Sequence, residues 1–374
     1  MKVLYLFPII ASTLFWFLNY YVFRSITARF NSYKFGKKIK FFTAIFCLAF
    51  WILEMIYFIS IGTRAMLPSE FFYKICVYAM AVSFGVFLVC MIYDIFEITL
   101  KTTKFNENRR KFLKIALDIS FVIIAFTYLF KGFFNAFRIP KINEVEVKIK
   151  NLTGELNLAV VSDIHLGEFL KRDFLQVIVD QINSVPHDAV AIVGDMFDIK
   201  AEEIGDMLEP LKQISKPIFF VTGNHEYYRG AENLIKLLQN NGVKVLQNEC
   251  IELGGINLIG VHDRSGEKFN FLAPNLKNAL SGAKPQKPKV LLAHQPKFIN
   301  ENVKDEVDLC VCGHTHAGQI FPFSLLVMID QKYLHGLYDD GKKQIYVSSG
   351  AGFWGPPMRF LAPNEIALLK LRKA

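Results

Sequence analysis

The chain has 374 residues, 52% of them hydrophobic and 14% aromatic, with a formal net charge of +9. A mean hydropathy of +0.28 excludes one ordinary soluble domain, and the length leaves room for more than one. The charge is uneven: residues 1–140 hold 17 Lys and Arg against 6 Asp and Glu, and the remainder holds 26 against 28. The basic excess reads as membrane-flanking charge, and no nucleic-acid partner is expected for the slightly acidic second part.

Four apolar runs come first: Val3–Phe23, Phe41–Ile61, Ile75–Tyr93 and Ile115–Phe130. The first three approach or exceed the ~18–20 residues of a membrane-spanning helix, and the fourth does so when extended across Lys131 to Phe134. A cleaved signal peptide does not fit the first run, which is long, aromatic and followed by no small-residue cleavage site. Residues 24–40 carry Arg24, Arg29, Lys34, Lys37, Lys38 and Lys40 and no acid. Residues 101–114 carry Lys101, Lys104, Arg109, Arg110, Lys111 and Lys114, whereas the stretch between the second and third runs has Arg64 and Lys74. The positive-inside rule puts the two rich loops in the cytoplasm. With four spans, everything after Phe134 is then expected outside it, although Lys131, Arg138, Lys141, Lys148 and Lys150 also flank the last span. Glu54 sits mid-run, as a functional carboxyl or a helix–helix hydrogen bond. Asp94, Glu97 and Asp118 lie near span ends and need no special role. Cys47, Cys76, Cys90, Cys250, Cys310 and Cys312 form no disulfide framework.

A domain boundary is expected near Pro140, with a membrane anchor over 1–139 and a second domain over 140–374. "VEVKIK" (Val145–Lys150) alternates as a strand. "LNLAVVSDIH", "AVAIVGD", "KPIFFVTGNHE", "PKVLLAHQP" and "VDLCVCGHTH" are apolar strands with polar tips. "FLQVIVDQINS", "IGDMLEPLKQI" and "AENLIKLLQNNG" have helical spacing; "KVLQN", "CIELG", "INLIGVHD", "KQIYVSSGAG" and "NEIALLKLRK" read as strands. This predicts a layered α/β domain with covered sheets. Cys310 and Cys312, two apart on one strand, share a face and pack as small hydrophobes.

The polar tips hold the chemistry: Asp163 and His165, Asp195, Asn224 with His225 and Glu226, His294, and His314 with His316. Buried together without a cation, so many polar groups would carry a large desolvation cost. Oxygen and imidazole donors without thiolates suit Mn, Fe, Zn or similar ions. In Asp-x-His and His-x-His, the two side chains point the same way if the segment is extended. Gly194, Gly223 and Gly313 let the backbone turn and come close.

The segments "DIHLG", "GDMFD", "GNHEYY", "AHQP" and "GHTHAGQI", in this order, resemble the signature of the calcineurin-like metallophosphoesterases over residues 150–374. The wording of "GHTHAGQI", "YLHGLY", "IYVSSGAG" and "NEIALLKL" is similar to the bacterial, membrane-associated YkuE-like branch. The resemblance implies a four-layer α/β/β/α sandwich behind an N-terminal helical membrane region. It implies two divalent or transition metal ions, the first on Asp163, His165 and His316, the second on Asn224, His294 and His314, with Asp195 bridging. It implies in-line attack of metal-bound hydroxide on phosphorus, with His225 as the non-ligand histidine beside the leaving group. Asp198 stands where purple acid phosphatases have a tyrosine ligand, so a charge-transfer Fe(III) site is not expected.

His262 and His335 could lie near the metals or serve their loops, and Glu226 is expected to support the ligands. In "GAGFWGPPMRF", Phe353 and Trp354 could touch lipid or the membrane interface, and Arg359 could meet a substrate phosphate. The expected protein is an integral protein of the bacterial cell membrane with an extracytoplasmic phosphoesterase domain. Its substrate would be a phosphodiester or phosphomonoester, with a lipid or envelope precursor favoured. The alternative is a transporter or sensor that uses the phosphoesterase domain as a regulatory module.

Overall fold

The computed structural model describes residues 2–63, 67, 69–341 and 343–374, with side chains from residue 6. Arg64 lies outside the described residues. The chain divides into two compact units, Met1–Phe134 with Gly355–Met358, and Asn135–Trp354 with Arg359–Ala374.

The first unit is built from helices α1 (Lys2–Phe30), α2 (Gly36–Thr63), α3 (Glu70–Thr102) and α4 (Glu107–Ala136). Among the described residues these are the four helices long and apolar enough to cross a membrane. Each outruns its apolar stretch because Lys and Arg are good helix formers. Arg24 and Arg29 lie inside α1, Lys37, Lys38 and Lys40 open α2, and Lys114 lies in α4. At ~1.5 Å per residue the helices are ~42–50 Å long, so their charged ends extend past a ~30 Å hydrocarbon core.

Polar groups link the helices. Asn19 of α1 donates to Glu54 Oε2 of α2 at 2.7 Å and accepts from Ser83 of α3 at 3.3 Å. Glu54 is fully buried, and this contact is the helix–helix bond that was one of its two readings. Asp94 and Asp118, expected to be inconspicuous, are anchors. Asp94 accepts from Tyr21 at 2.8 Å and Ser25 at 2.9 Å and faces Arg29 at 3.4 Å. Asp118 accepts from Tyr33 at 2.6 Å, from Lys114 at 2.9 Å and from Tyr93. The Arg29 guanidinium lies 3.5 Å from the centre of the Tyr93 ring and 3.6 Å from that of Phe121. In a low dielectric such contacts hold helices in one register.

The second unit carries twelve strands among the described residues. They are β1 (Lys141–Ile149), β2 (Leu156–Val161), β3 (Ala189–Val193), β4 (Ile218–Val221), β5 (Lys244–Val245), β6 (Glu249–Leu253), β7 (Ile256–Gly260), β8 (Lys289–Leu292), β9 (Leu309–Cys312), β10 (Gly336–Asp339), β11 (Gln344–Val347) and β12 (Glu365–Lys373). Two six-stranded sheets result, ordered β1-β12-β2-β3-β4-β5 and β10-β11-β9-β8-β7-β6. Its helices are α5 (Arg172–Asn183), α6 (Asn224–Arg229), α7 (Ala231–Asn240), α8 (Ser265–Phe269), α9 (Leu276–Ser281), α10 (Pro296–Asn302) and α11 (Phe323–Gln331).

Strand alternation sorts the side chains into three cores. In β2, Leu158 and Val160 join Val290, Leu309 and Val311 between the sheets, while Ala159 and Val161 meet Leu175 and Ile178 of α5 and Leu234 of α7. In β9, Cys310 and Cys312 turn outward against Ala279 of α9 and Phe298 and Ile299 of α10. Three cores between four layers make an α/β/β/α sandwich, and the two cysteines are packing residues.

"IGDMLEPLKQI" is not a regular helix. Ile204, Leu208, Leu211 and Ile214 are buried as its spacing predicts. The backbone, however, forms two 3₁₀ turns, Ala201–Glu203 and Glu209–Gln213, around Gly205 at φ +55° and Pro210. Proline lacks the N–H that a continuing α-helix needs.

The sheets set up one edge for chemistry. Strands β2, β3 and β4 are adjacent and parallel, as are β8 and β9. Their C-terminal ends therefore point the same way in each sheet, the usual place for a site in α/β architecture.

Candidate metal centre

Asp163 and His165 follow β2, Asp195 follows β3, Asn224 and His225 open α6 after β4, His294 follows β8, and His314 and His316 follow β9. All are buried except His314, which is half-buried. Three groups of donors converge: Asp163, His165 and His316; Asp195, His294 and His314; and His165, Asp198 and His225. Within each, the donor atoms lie within 4.8 Å of one another. The first group unites the three residues expected on one ion. The second unites three of the four expected around the other, and Asn224 adds a buried Oδ1 with no hydrogen-bond partner. The third was not anticipated.

The tips are not extended. Asp163, His165, Asp195, His314 and His316 have φ of 55°, 53°, 51°, 70° and 49°. L-residues with side chains seldom adopt this left-handed region, and each costs on the order of 1–2 kcal/mol. Five such residues at the strand ends of the two sheets mark a site whose donors are aimed at the expense of backbone strain. The same-side reading of Asp-x-His and His-x-His through an extended chain is thus replaced by a curled one.

Neighbouring groups hold these loops. Glu226 accepts from the amides of Gly223 at 2.6 Å, Met196 at 2.9 Å and Asp195 at 3.0 Å. One buried carboxylate thereby ties the β3 tip to the β4 tip. The His314 amide donates to Asp163 Oδ2 at 2.9 Å, and the His225 amide to Asp195 Oδ1 at 2.8 Å. A Cβ on Gly313 would collide with the side chains of Ser162 and Asp163, and one on Gly223 with Asp195. Glycine is required at both for close approach.

The donors fit a cation. His294 Nδ1 lies 2.8 Å from the Val193 carbonyl, to which it donates, so Nε2 is the nitrogen left to hold a cation once the ring is neutral. That Nε2 faces Asp195 Oδ2 at 3.1 Å and has no hydrogen-bond partner. His165 Nδ1 donates to Asp198 at 2.9 Å, so its Nε2 is an acceptor, 3.0 Å from His316 Nε2. Imidazole nitrogens and carboxylate oxygens converging in a dry pocket suit a cation between them.

The electrostatics of the protein groups alone divide the imidazoles. Burial pulls His294 down, yet Asp195, with Asp163 and Asp263 nearby, raises it well above its ordinary value, so a bound cation would displace its proton. Burial favours the neutral acid at Asp195, but the neighbouring imidazoles, His294 first, hold its carboxyl well below the usual range. Burial pulls His225 down, yet Asp195 and Asp198 raise it to about 9. Burial, reinforced by nearby imidazoles, pushes His314 down to about 3 and His316 well below its ordinary value. These two rings stay neutral, as ligation requires. His262 is also neutral, pushed to about 4 by burial, and contacts Thr222 at 3.3 Å. His335 is exposed.

Two expected substrate contacts are corrected. Arg359 is fully buried and cannot meet a phosphate. It donates to the carbonyls of Ala362 and His316 at 3.1 Å, of Pro363 at 2.8 Å, and of Gly350, Gly352 and Ser349. Phe353 is also buried, against Ala136 and Leu170, with its ring centre 5.3 Å from that of Phe137 and 5.7 Å from that of Phe169. Trp354 alone of the three is exposed, its ring centre 5.9 Å from that of His225. Tyr228, which sequence reasoning passed over, lies 5.4 Å from His225 on the same rim. Asp198 was noted only as a departure from a tyrosine pattern. Its position three residues after Asp195 was the available signal for its contacts with His165 and His225, the latter at 2.6 Å.

A sandwich with buried His and Asp donors at parallel strand ends defines a metal-dependent hydrolase class. The sequence profile of the calcineurin-like phosphoesterases matches residues 156–318. An uncharacterized metallophosphoesterase of Helicobacter pylori is 42% identical over 312 residues, 82% of this chain and 84% of that protein. A zebrafish (Danio rerio) transmembrane protein with metallophosphoesterase domain is 33% identical over 278 residues, 70% of this chain and 62% of its own. The Bacillus subtilis metallophosphoesterase YkuE is more distant, 26% identical over 220 residues, 56% of this chain and 77% of that protein. The chain belongs to the calcineurin-like metallophosphoesterase family, and it is a metal-dependent phosphoesterase with membrane-spanning helices.

Proposed function

We propose that the protein is a membrane-anchored phosphoesterase with two metal ions, acting on a phosphodiester or phosphomonoester in a lipid or envelope precursor. The observation that carries the binuclear reading is the pair of donor groups, Asp163/His165/His316 and Asp195/His294/His314. Asn224, with its unpartnered buried oxygen, completes the second. When bound, Mn, Fe or Zn ions would supply Lewis acidity toward the phosphoryl group and an acidified water as nucleophile.

The chain's own residues do the rest. Asp195 belongs to the second group, its charge also acts on Asp163 and His165 of the first, and it would be the bridging carboxylate. Asp198 accepts from His225 Nδ1 at 2.6 Å, which fixes the ring and keeps its proton. The other ring nitrogen is free to donate to the departing oxygen of an ester. Trp354 and Tyr228 flank His225 and offer an apolar wall to the leaving group. A lipid-linked phosphate is favoured by this wall and by the anchor. The transporter or sensor alternative has less support, because Glu54 is engaged with Asn19 inside the bundle.

Purified full-length protein should bind close to two equivalents of transition metal per chain by elemental analysis. It should hydrolyse bis-p-nitrophenyl phosphate and at least one phospholipid or lipid-linked nucleotide. One equivalent would end the binuclear reading, and efficient turnover of phosphoproteins alone would end the lipid reading. The basic loops favour an extracytoplasmic catalytic domain. Protease added to intact spheroplasts should then cleave it, and complete protection would reverse the orientation.

A further inference from the structure

Most helices of the second unit bury an apolar face. In α5, Leu175, Ile178, Val179 and Ile182 are buried. Helix α11 does the opposite. Its sequence FSLLVMIDQ exposes Phe323 (47%), Leu325 (50%), Leu326 (59%), Met328 (46%) and Ile329 (80%), and Gln331 is its one buried residue. Exposed Phe321 precedes it, and exposed Trp354 and Leu361 lie on the stretch that pairs with the segment leading into it. The rim is continuous. The Phe321 amide donates to the Phe360 carbonyl at 3.1 Å, and the Gln319 amide group bonds both the N–H and the carbonyl of Trp354, at 2.9 and 2.8 Å. No Lys, Arg, Asp or Glu occurs between Asp308 and Asp330. A contiguous apolar patch of this kind is not left in water.

We propose that α11, with Phe321, Trp354 and Leu361, is an interfacial docking surface that seats the catalytic domain in the headgroup layer of the bilayer.

Three observations identify the bilayer as the occupant. First, α4 ends at Ala136 and β1 begins at Lys141. So short a connection reaches ~18 Å at most, so the domain cannot leave the membrane surface. Second, α11 has nine residues, ~14 Å, too short to span a bilayer and suited to lying in its plane. Third, the patch mixes Phe and Trp with aliphatic residues, and polar Asp330 and Lys332 close its far end. Aromatic rings favour the headgroup boundary. The docking segment follows His316 directly, so seating it would bring the donor groups to the level of lipid phosphates. That consequence rests on the phosphoesterase reading; the docking does not.

The test uses the full-length protein in phosphatidylethanolamine/phosphatidylglycerol liposomes. Cys250, the one free cysteine that is not buried, is replaced by Ser. A nitroxide is placed at Ile329→Cys, at Leu361→Cys, or at Glu232→Cys on the exposed side of α7 as a control. Power saturation compares collision with oxygen, which concentrates in lipid, and with a nickel chelate, which stays in water. Oxygen should exceed nickel several-fold at 329 and 361, with the reverse at 232. Nickel dominance at 329 and 361 would overturn the proposal by showing an aqueous surface. Loss of access to both reagents would overturn it in favour of a second copy or another protein. Turnover is not read, so this result and the phosphoesterase reading can fail separately.

Discussion

Asp195→Asn is expected to lower metal-dependent hydrolysis of bis-p-nitrophenyl phosphate by on the order of 10³, about 4 kcal/mol of transition-state stabilisation. The carboxylate is 2% exposed, with one oxygen accepting the His225 amide at 2.8 Å and the other 3.1 Å from Nε2 of His294. Asparagine keeps the size and one acceptor oxygen, so the β3 tip should hold its shape. It loses the charge, and its amide places a donor where Asp195 offers a ligand. Metal content should therefore fall together with kcat. His225→Ala is the contrasting variant. It removes the group next to the leaving oxygen but no proposed ligand, so metal content should persist while kcat drops by ~10²–10⁴. Full activity in Asp195→Asn would sink the assignment. Equal metal loss in both variants would make His225 a ligand.

The two variants probe residues that were legible in the sequence, and the reason is physical. An apolar strand ending in Asp or His announces a buried polar group, and five such tips, three from one sheet and two from the other, converge here. The layers were legible because β2, β3 and β9 are apolar on both faces, which only covered sheets tolerate. Helix α11 was not, because "FSLLVMID" is apolar at nearly every position and gives no period to read. Strand β10 lies in a stretch without strong alternation, and its exposed residues make it an edge. The role of Asp198 depended on where two rings from different strands would turn. The left-handed backbone at Asp163, His165 and His316 was equally hidden, since neither Asp nor His demands it.

Arg359 is the clearest case of a residue whose type suggested one role and whose surroundings impose another. Arg359→Met is expected to destabilise the catalytic unit by about 3–5 kcal/mol, since each buried carbonyl left without a donor costs about 1–3 kcal/mol. Six carbonyls, from His316, Ser349, Gly350, Gly352, Ala362 and Pro363, would lose the guanidinium as a donor in a dry interior, although those of His316 and Gly350 keep the amides of Gln319 and Glu365. For a unit of this size the loss corresponds to a fall in Tm on the order of 10 °C. Burial lowers the guanidinium to about 10, partly offset by Asp163 and Glu365, so it stays charged in neutral solution. Its positive charge therefore sits behind the Asp163 loop as well as bracing it. Arg359→Lys separates the two contributions, since Lys keeps the charge but has three donors where Arg has five in a planar fork. A bracing role predicts that Lys recovers little of the Tm, and that both variants lose metal affinity because the His316 carbonyl loses one of its two donors and the loops around it loosen. A phosphate-binding role predicts the opposite: an unchanged Tm, a raised KM, and recovery by Lys. Thermal unfolding with and without added Mn, beside KM on a soluble diester, decides between them.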